Sequence, residues 1–178
     1  NTVTVTWGTS GTGTVSLTQI NSFGCDTTVS IPVTINPLPT PVLTGPDPVC
    51  ELSGPHVYST ANNAGSTFFW VITGGSITAT PSNSATVNWG NAGTGFLLVN
   101  ETNSFGCESD ATINVTINPK PTPQINGPVE VCENTSQTYE TPNQPGVTYN
   151  WIVNGGTISI GAGTNAILVN WGSAGVGD

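Results

Sequence analysis

One property constrains this 178-residue chain more than any other: it repeats with a period of 82 residues. Trp7, Trp89 and Trp171 each precede a glycine and stand 82 residues apart. Cys25 and Cys107 keep that spacing, and so do Cys50 and Cys132. The segment Ile-Asn-Pro-Leu-Pro-Thr-Pro (35–41) returns as Ile-Asn-Pro-Lys-Pro-Thr-Pro (117–123). A fixed period means one folding unit copied in tandem. This one is too long for a solenoid turn and suits a small self-contained domain.

The local pattern is that of strands. Alternating runs rich in Val, Ile, Thr and aromatics are punctuated by Gly, Pro and Asn, and no stretch carries apolar residues at helical spacing. In the central copy strands are expected at 41–44, 56–60, 67–73, 76–79, 85–89, 95–101 and 111–118, with an irregular Gly-Pro-Asp-Pro stretch after the first. Seven short strands separated by turns every few residues predict an all-β chain of tandem immunoglobulin-like β-sandwiches. Alternate prolines at 37, 39 and 41, and again at 119, 121 and 123, mark the boundaries and stiffen them into extended linkers. The expected division is 1–36 (C-terminal part of one repeat), 37–119 (a complete repeat) and 120–178 (N-terminal part of a third). The first part should supply the last three strands of a repeat and the last part the first five. Each partial repeat is expected to be completed by flanking sequence or by a neighbouring subunit. At ~3.3 Å per residue, ten-residue strands make each sandwich about 35 Å long.

Charge excludes several roles. Lys120 is the only fixed cation against ten carboxylates, and the net charge is −9. Phosphate backbones and anionic bilayer surfaces both require clustered Lys and Arg, so neither nucleic acid nor an anionic membrane surface is an expected partner. No run of apolar residues is long enough to span a membrane as a helix. The chain opens and closes inside copies of the same strand phrase, and the expectation is a window on a longer repeat protein.

Four phrases in order carry a family resemblance: Gly45 to Glu51 (Gly-Pro-Asp-Pro-Val-Cys-Glu), Phe69 to Gly75 (Phe-Trp-Val-Ile-Thr-Gly-Gly), Val87 to Gly90 (Val-Asn-Trp-Gly) and Asn103 to Cys107 (Asn-Ser-Phe-Gly-Cys). They resemble the PKD-like, immunoglobulin-like repeats of Bacteroidota secreted and cell-surface proteins, including gliding-motility adhesins and cargo of the type IX secretion system. The resemblance covers the whole chain. It implies an extracellular location and a structural or adhesive role.

Regularly spaced cysteines in a chain read as exported point to disulfides. Two pairings respect the period. Cys50 with Cys107 lies within the complete repeat and leaves Cys25 and Cys132 to partners outside the window. Cys25 with Cys50, and Cys107 with Cys132, would straddle the proline linkers. The resemblance implies the first. Trp70 and Trp151 sit mid-strand among apolar neighbours and are expected in sandwich cores, whereas Trp7, Trp89 and Trp171 at strand ends are expected to be partly exposed.

No catalytic residue is expected. His56 is the only histidine, and the next copy has Gln137 or Thr138 there. Asp47, Glu101 and Asp110 give way to Val129, Gln19 and Thr28 in other copies. Only Glu51 with Glu133, and Asp26 with Glu108, persist in kind. No cofactor is expected. Calcium would need several converging oxygens, with Glu51 or Asp47 the available contributors. Asp26-Thr27-Thr28 resembles the Asp-Thr acceptor of Bacteroidota O-glycosylation, which makes Thr27 a candidate modification site. Asn100, Asn114 and Asn134 each begin an Asn-x-Thr/Ser sequon. The expected function is therefore a non-enzymatic structural segment of an extracellular stalk, adhesin shaft or filament, self-associating head to tail or continuing as a longer chain of repeats. The alternative is a glycan- or protein-binding accessory module of an exported enzyme.

Overall fold

A computed structural model describes residues 2–173. They divide into two compact units, Asn1–Lys120 and Pro121–Asp178. The twelve elements of the described residues are all strands. In the first unit, β1 (Gly11–Ile20) and β2 (Asp26–Ile35) form an antiparallel hairpin in unbroken register from Gly11 opposite Ile35 to Ile20 opposite Asp26. The central repeat follows with β3 (Val49–Cys50), β4 (His56–Ser59), β5 (Thr67–Thr73), β6 (Gly75–Ala79), β7 (Ser84–Trp89), β8 (Gly93–Thr102) and β9 (Glu108–Asn118).

These seven strands make two sheets, one ordered β3-β9-β8-β5 and the other β4-β7-β6. Period-2 alternation aims one face of each at the other. Along β8, Gly95, Leu97, Val99 and Glu101 are buried while Phe96, Leu98, Asn100 and Thr102 between them are not; along β7 the buried residues are Ala85, Val87 and Trp89. Val49, Trp70, Leu97, Val99, Val115 and Ile117 of the four-stranded sheet meet Tyr58, Ala85, Val87 and Trp89 of the three-stranded one in a single core. The chain is thus an all-β array of immunoglobulin-like sandwiches, as the pattern predicts.

The strand expected at 41–44 contracts to one bridge, in which Thr44 and Ser59 exchange backbone hydrogen bonds at 3.0 and 2.9 Å. Prolines at 37, 39 and 41 remove the donors a longer ladder needs. Directly after the irregular Gly-Pro-Asp-Pro stretch comes β3, a strand not expected from the sequence and the only parallel pairing among the described residues, with Val49 opposite Ile117 and Cys50 opposite Asn118.

The partial repeats form fewer strands than expected, and ladder partners explain why. Residues 2–7 are the copy of β7, whose neighbours are β4 and β6. No copies of those two precede them in this sequence, and residues 2–7 form no strand. In the second unit, β10 (Ser136–Glu140), β11 (Gly156–Ile160) and β12 (Ala166–Trp171) form a sheet ordered β10-β12-β11, with an isolated bridge between Asn126 and Glu140. The copy of β5 around Trp151 forms no strand. Its ladder partner, the copy of β8, falls outside the described residues.

Candidate functional site at the two ends of the repeat

Polar side chains of the central repeat bond the chain where the linkers enter and leave. At the entry, the loop after β8 is an Asx turn: Asn103 Oδ1 accepts the amides of Phe105 and Cys107 at 3.0 and 3.1 Å. That leaves Nδ2 free to reach across the repeat boundary, and it donates to the Pro37 carbonyl at 2.9 Å. Beside it, Cys107 Sγ lies 4.0 Å from the Asn36 carbonyl oxygen. Asn21 builds the same turn between β1 and β2, accepting from Phe23 and Cys25 at 2.9 and 3.0 Å. The turn is therefore a property of the repeated phrase.

At the exit, one carboxylate holds the departing chain. Glu51 Oε1 accepts the Lys120 amide at 2.9 Å and Oε2 the Ala92 amide at 3.0 Å. The Glu51 amide in turn donates to the Asn118 carbonyl at 2.8 Å. The Lys120 amide, then the Ala92 amide, hold the Glu51 carboxyl below its ordinary value against the opposing effect of burial, with the Lys120 charge adding to them. Asp47 Oδ1 accepts the Thr116 amide at 2.8 Å, bracing the C-terminal end of β9. Both carboxylates suggested for calcium are thus occupied by backbone amides. Among the described residues no group of His, Cys, Asp or Glu converges as a cation would need.

The disulfide expected within the repeat is not formed, and β9 shows why. Cys50 stands opposite Asn118 at one end of this strand, and Cys107 immediately precedes Glu108 at the other. Eleven residues at ~3.3 Å place them about 35 Å apart, against a Cα separation below ~7 Å for any disulfide. All four cysteines carry free thiols; Cys25, Cys50 and Cys132 are exposed and Cys107 half-buried.

Trp70 is 8% exposed and packs in the core, its indole nitrogen without a hydrogen-bond partner. Trp151 is half-buried and donates to the Thr164 carbonyl at 2.8 Å. Trp89 corrects the expectation of exposure at strand ends, for it is 2% exposed and donates to Tyr58 Oη at 2.9 Å. Glycine makes the room: a Cβ on Gly95 would lie 2.2 Å from the Trp89 ring, and one on Gly45 2.0 Å from the Tyr58 ring. The Gly-Thr-Gly phrase (11–13 and 93–95) and Gly45-Pro46, repeated as Gly127-Pro128, are the sequence signals for these cavities. Thr27 is exposed on β2, opposite Gln19.

Ser53 Oγ lies 2.9 Å from His56 Nε2, the one serine–histidine contact of the described residues. The serine hydroxyl donates to the Cys50 carbonyl. Thr135 makes the equivalent bond to Cys132 at 2.7 Å with no histidine nearby in sequence. The bond closes a turn, and the third copy keeps the turn without the imidazole.

A two-sheet repeat with polar clamps at both ends defines an immunoglobulin-like β-sandwich module. The chain belongs to the PKD-like domain family, whose model matches residues 36–115 and 118–178. Such domains are typically extracellular structural or adhesion modules and are non-catalytic. Among solved structures the chain is similar to protocadherin gamma B2 extracellular cadherin domains 1–5, at 10% identity and a TM-score of 0.34 over 91% of this chain and 39% of that one. It is also similar to the human desmocollin-1 ectodomain (15% identity, TM-score 0.33, 82% of this chain and 34% of that one). A third is the protocadherin gammaB7 EC3-6 cis-dimer (10% identity, TM-score 0.33, 92% and 50%). The chain therefore spans half or less of each of these. No curated protein matches.

Proposed function

We propose that this chain is a structural segment of an extracellular stalk, adhesin shaft or filament, in which tandem repeats transmit length and load. One observation carries the reading: in the complete repeat, side chains at both ends are committed to fixing linker backbone. Asn103 holds Pro37 at the entry, and Glu51 holds Lys120 at the exit. Polar residues at the boundaries recur between copies, Asn21 with Asn103 and Glu51 with Glu133. Membership in the PKD-like family supports the extracellular, non-catalytic part of the reading. Its source in Bacteroidota and export by type IX secretion belong to the same proposal. Electron microscopy of the native protein tests it: a fibre or shaft with a regular repeat is expected, and a compact particle without periodicity defeats it.

Self-association extends the proposal. β1 and β2 are copies of β8 and β9, the strands that fill the centre of the four-stranded sheet. The repeat containing β10, β11 and β12 requires such a pair, from sequence that follows or from a second copy of the chain. Sedimentation of the chain at rising concentration tests the second route, with head-to-tail polymers expected and a constant monomer defeating it.

A glycan-binding reading draws on Phe23 and Phe105, 89% and 61% exposed at the same loop position in two copies. Saccharide titration followed by aromatic fluorescence tests it, and an unchanged signal defeats it.

A further inference from the structure

The two cysteines of the complete repeat lie at opposite ends, and the period brings those ends together. At the entry, Cys107 Sγ lies 4.0 Å from the carbonyl oxygen of Asn36, beside the bond from Asn103 to Pro37. At the exit, Cys50 stands opposite Asn118 in parallel register, and the next residue, Glu51, donates to the Asn118 carbonyl at 2.8 Å. Asn36 and Asn118 are the same position in successive copies, in the phrases Ile-Asn-Pro-Leu and Ile-Asn-Pro-Lys. Both sets of contacts belong to Asn1–Lys120. Placing the entry geometry of a following complete copy onto Asn118 brings its Cys107-type thiol to the same carbonyl that Cys50 flanks.

We propose that the Cys50-type cysteine of each repeat forms a disulfide with the Cys107-type cysteine of the next repeat, so that the cysteines staple repeat to repeat across the proline linker. Cys50 is exposed and Cys107 half-buried, so an exchange partner reaches the first thiol before the linker closes on the second. The step is thiol–disulfide exchange. One thiolate attacks a small-molecule or protein disulfide, the second resolves the mixed disulfide, and the oxidant leaves as two thiols carrying the two electrons and two protons. The bond joins two folded domains on either side of the linker, so its effect falls on the angle between repeats. Within this sequence no Cys50-type residue is followed by a Cys107-type residue one repeat later, in keeping with four free thiols. The inference rests on the tandem-array reading only in needing consecutive copies, a condition the test builds in.

The test lengthens the full chain by inserting a second copy of residues 37–118 directly after Asn118. In one variant the only remaining thiols are Cys50 of the first copy and Cys107 of the second, the others being replaced by Ser. In a second variant the remaining thiols are Cys50 and Cys107 of the same copy. Both are equilibrated with glutathione disulfide and read by intact mass and thiol titration. The expected result is near-complete intramolecular oxidation of the first and free or glutathionylated thiols in the second. A reduced or merely glutathionylated first variant, or equal intramolecular oxidation of both, overturns the proposal. If the Ser replacements hinder folding, the lengthened chain with its own cysteines decides. A single intramolecular bond is expected there, whereas no bond, or a bond within each copy, overturns the proposal. The stalk reading survives either failure, because its test is the periodicity of the native particle.

Discussion

The indole N–H of Trp89 donates to the phenol oxygen of Tyr58 at 2.9 Å, with the two rings edge to face at 5.8 Å and 88°. Tyr58 passes the chain on, donating to the Pro46 carbonyl at 2.7 Å. One short relay thus joins β7, β4 and the stretch before β3. Tyr139 and Trp171 pack the same way at 5.9 Å and 76°, and Tyr139 donates to the Pro128 carbonyl at 2.9 Å.

Tyr58→Phe removes the donor to the exposed Pro46 and the acceptor of Trp89 together, leaving the buried Trp89 indole N–H unpaired. The expected loss is about 1–3 kcal/mol of stability, read by chemical denaturation. Trp89→Phe should cost a similar amount, and the double variant less than the sum, since both remove the same bond. Trp70→Phe removes an indole nitrogen that has no partner, so it should cost less than Trp89→Phe. Strict additivity at Tyr58 and Trp89 refutes the relay.

Gly95→Ala places a methyl 2.2 Å from the Trp89 ring. Overpacking of this kind costs about 1–3 kcal/mol. Gly8→Ala, where a Cβ meets nothing within 4 Å, is the matched control and should leave the denaturation midpoint unchanged. Equal effects at the two sites contradict the assignment of Gly95 as the indole's seat.

The period, the strand alternation and the linker prolines make the sandwich legible in the sequence, because each reports a local backbone preference repeated often enough to average out noise. Partner choice is less legible. β3 is two residues long and parallel to a strand far away in sequence, so no local pattern announces it. The expected cysteine pairing fails for the same reason: spacing along the chain says nothing about which end of β9 each thiol occupies. The place of Trp89 at a strand end suggests exposure, although Gly-Thr-Gly four to six residues later signals a cavity. Glu51 is visible as a persistent carboxylate, yet its role depends on Lys120 and Ala92, which only the fold brings to it.

Glu101 is fully buried at the end of β8, with Oε1 accepting from Asn63 Nδ2 at 2.8 Å and Ser66 Oγ at 2.7 Å. Both donors use one oxygen, so Glu101→Gln retains them and should cost little. Glu101→Ala removes the shared acceptor of exposed Asn63 and half-buried Ser66 and empties a fully buried site, and should cost about 1–3 kcal/mol. Thermal or denaturant midpoints of the two variants give the comparison, and an equal loss refutes the role of Oε1.

Glu51 links linker geometry to pH. Its carboxyl titrates below its ordinary value because the Lys120 and Ala92 amides favour the charged form. A depressed native pKa contributes stability above the unfolded value, and that contribution is lost as pH falls through the native one. Acidification below the ordinary glutamate range should therefore release the Lys120 amide. Glu51→Gln should flatten the acid limb of the stability profile and speed amide exchange at Lys120. An acid limb identical to that of the unmodified chain removes Glu51 from the exit clamp.

Asn103 divides its amide between two tasks, and substitution separates them. Oδ1 shapes the loop by accepting from Phe105 and Cys107, while Nδ2 alone reaches Pro37. Asn103→Asp keeps two acceptors for the loop amides but faces the Pro37 carbonyl with an oxygen instead of a donor. The loop should persist, with slow exchange at the Cys107 amide, while the linker at Asn36 and Pro37 loosens. Asn103→Ala should lose both, at roughly 1–2 kcal/mol for the turn bonds. Hydrogen exchange at Cys107 reads the loop, and the accessibility of its thiol to alkylation reads the linker, because Asn36 covers it from one side. Faster alkylation of Asn103→Asp with unchanged Cys107 exchange identifies Nδ2 as the group that ties one repeat to the next. Unchanged alkylation shows that the proline linker holds its place without it.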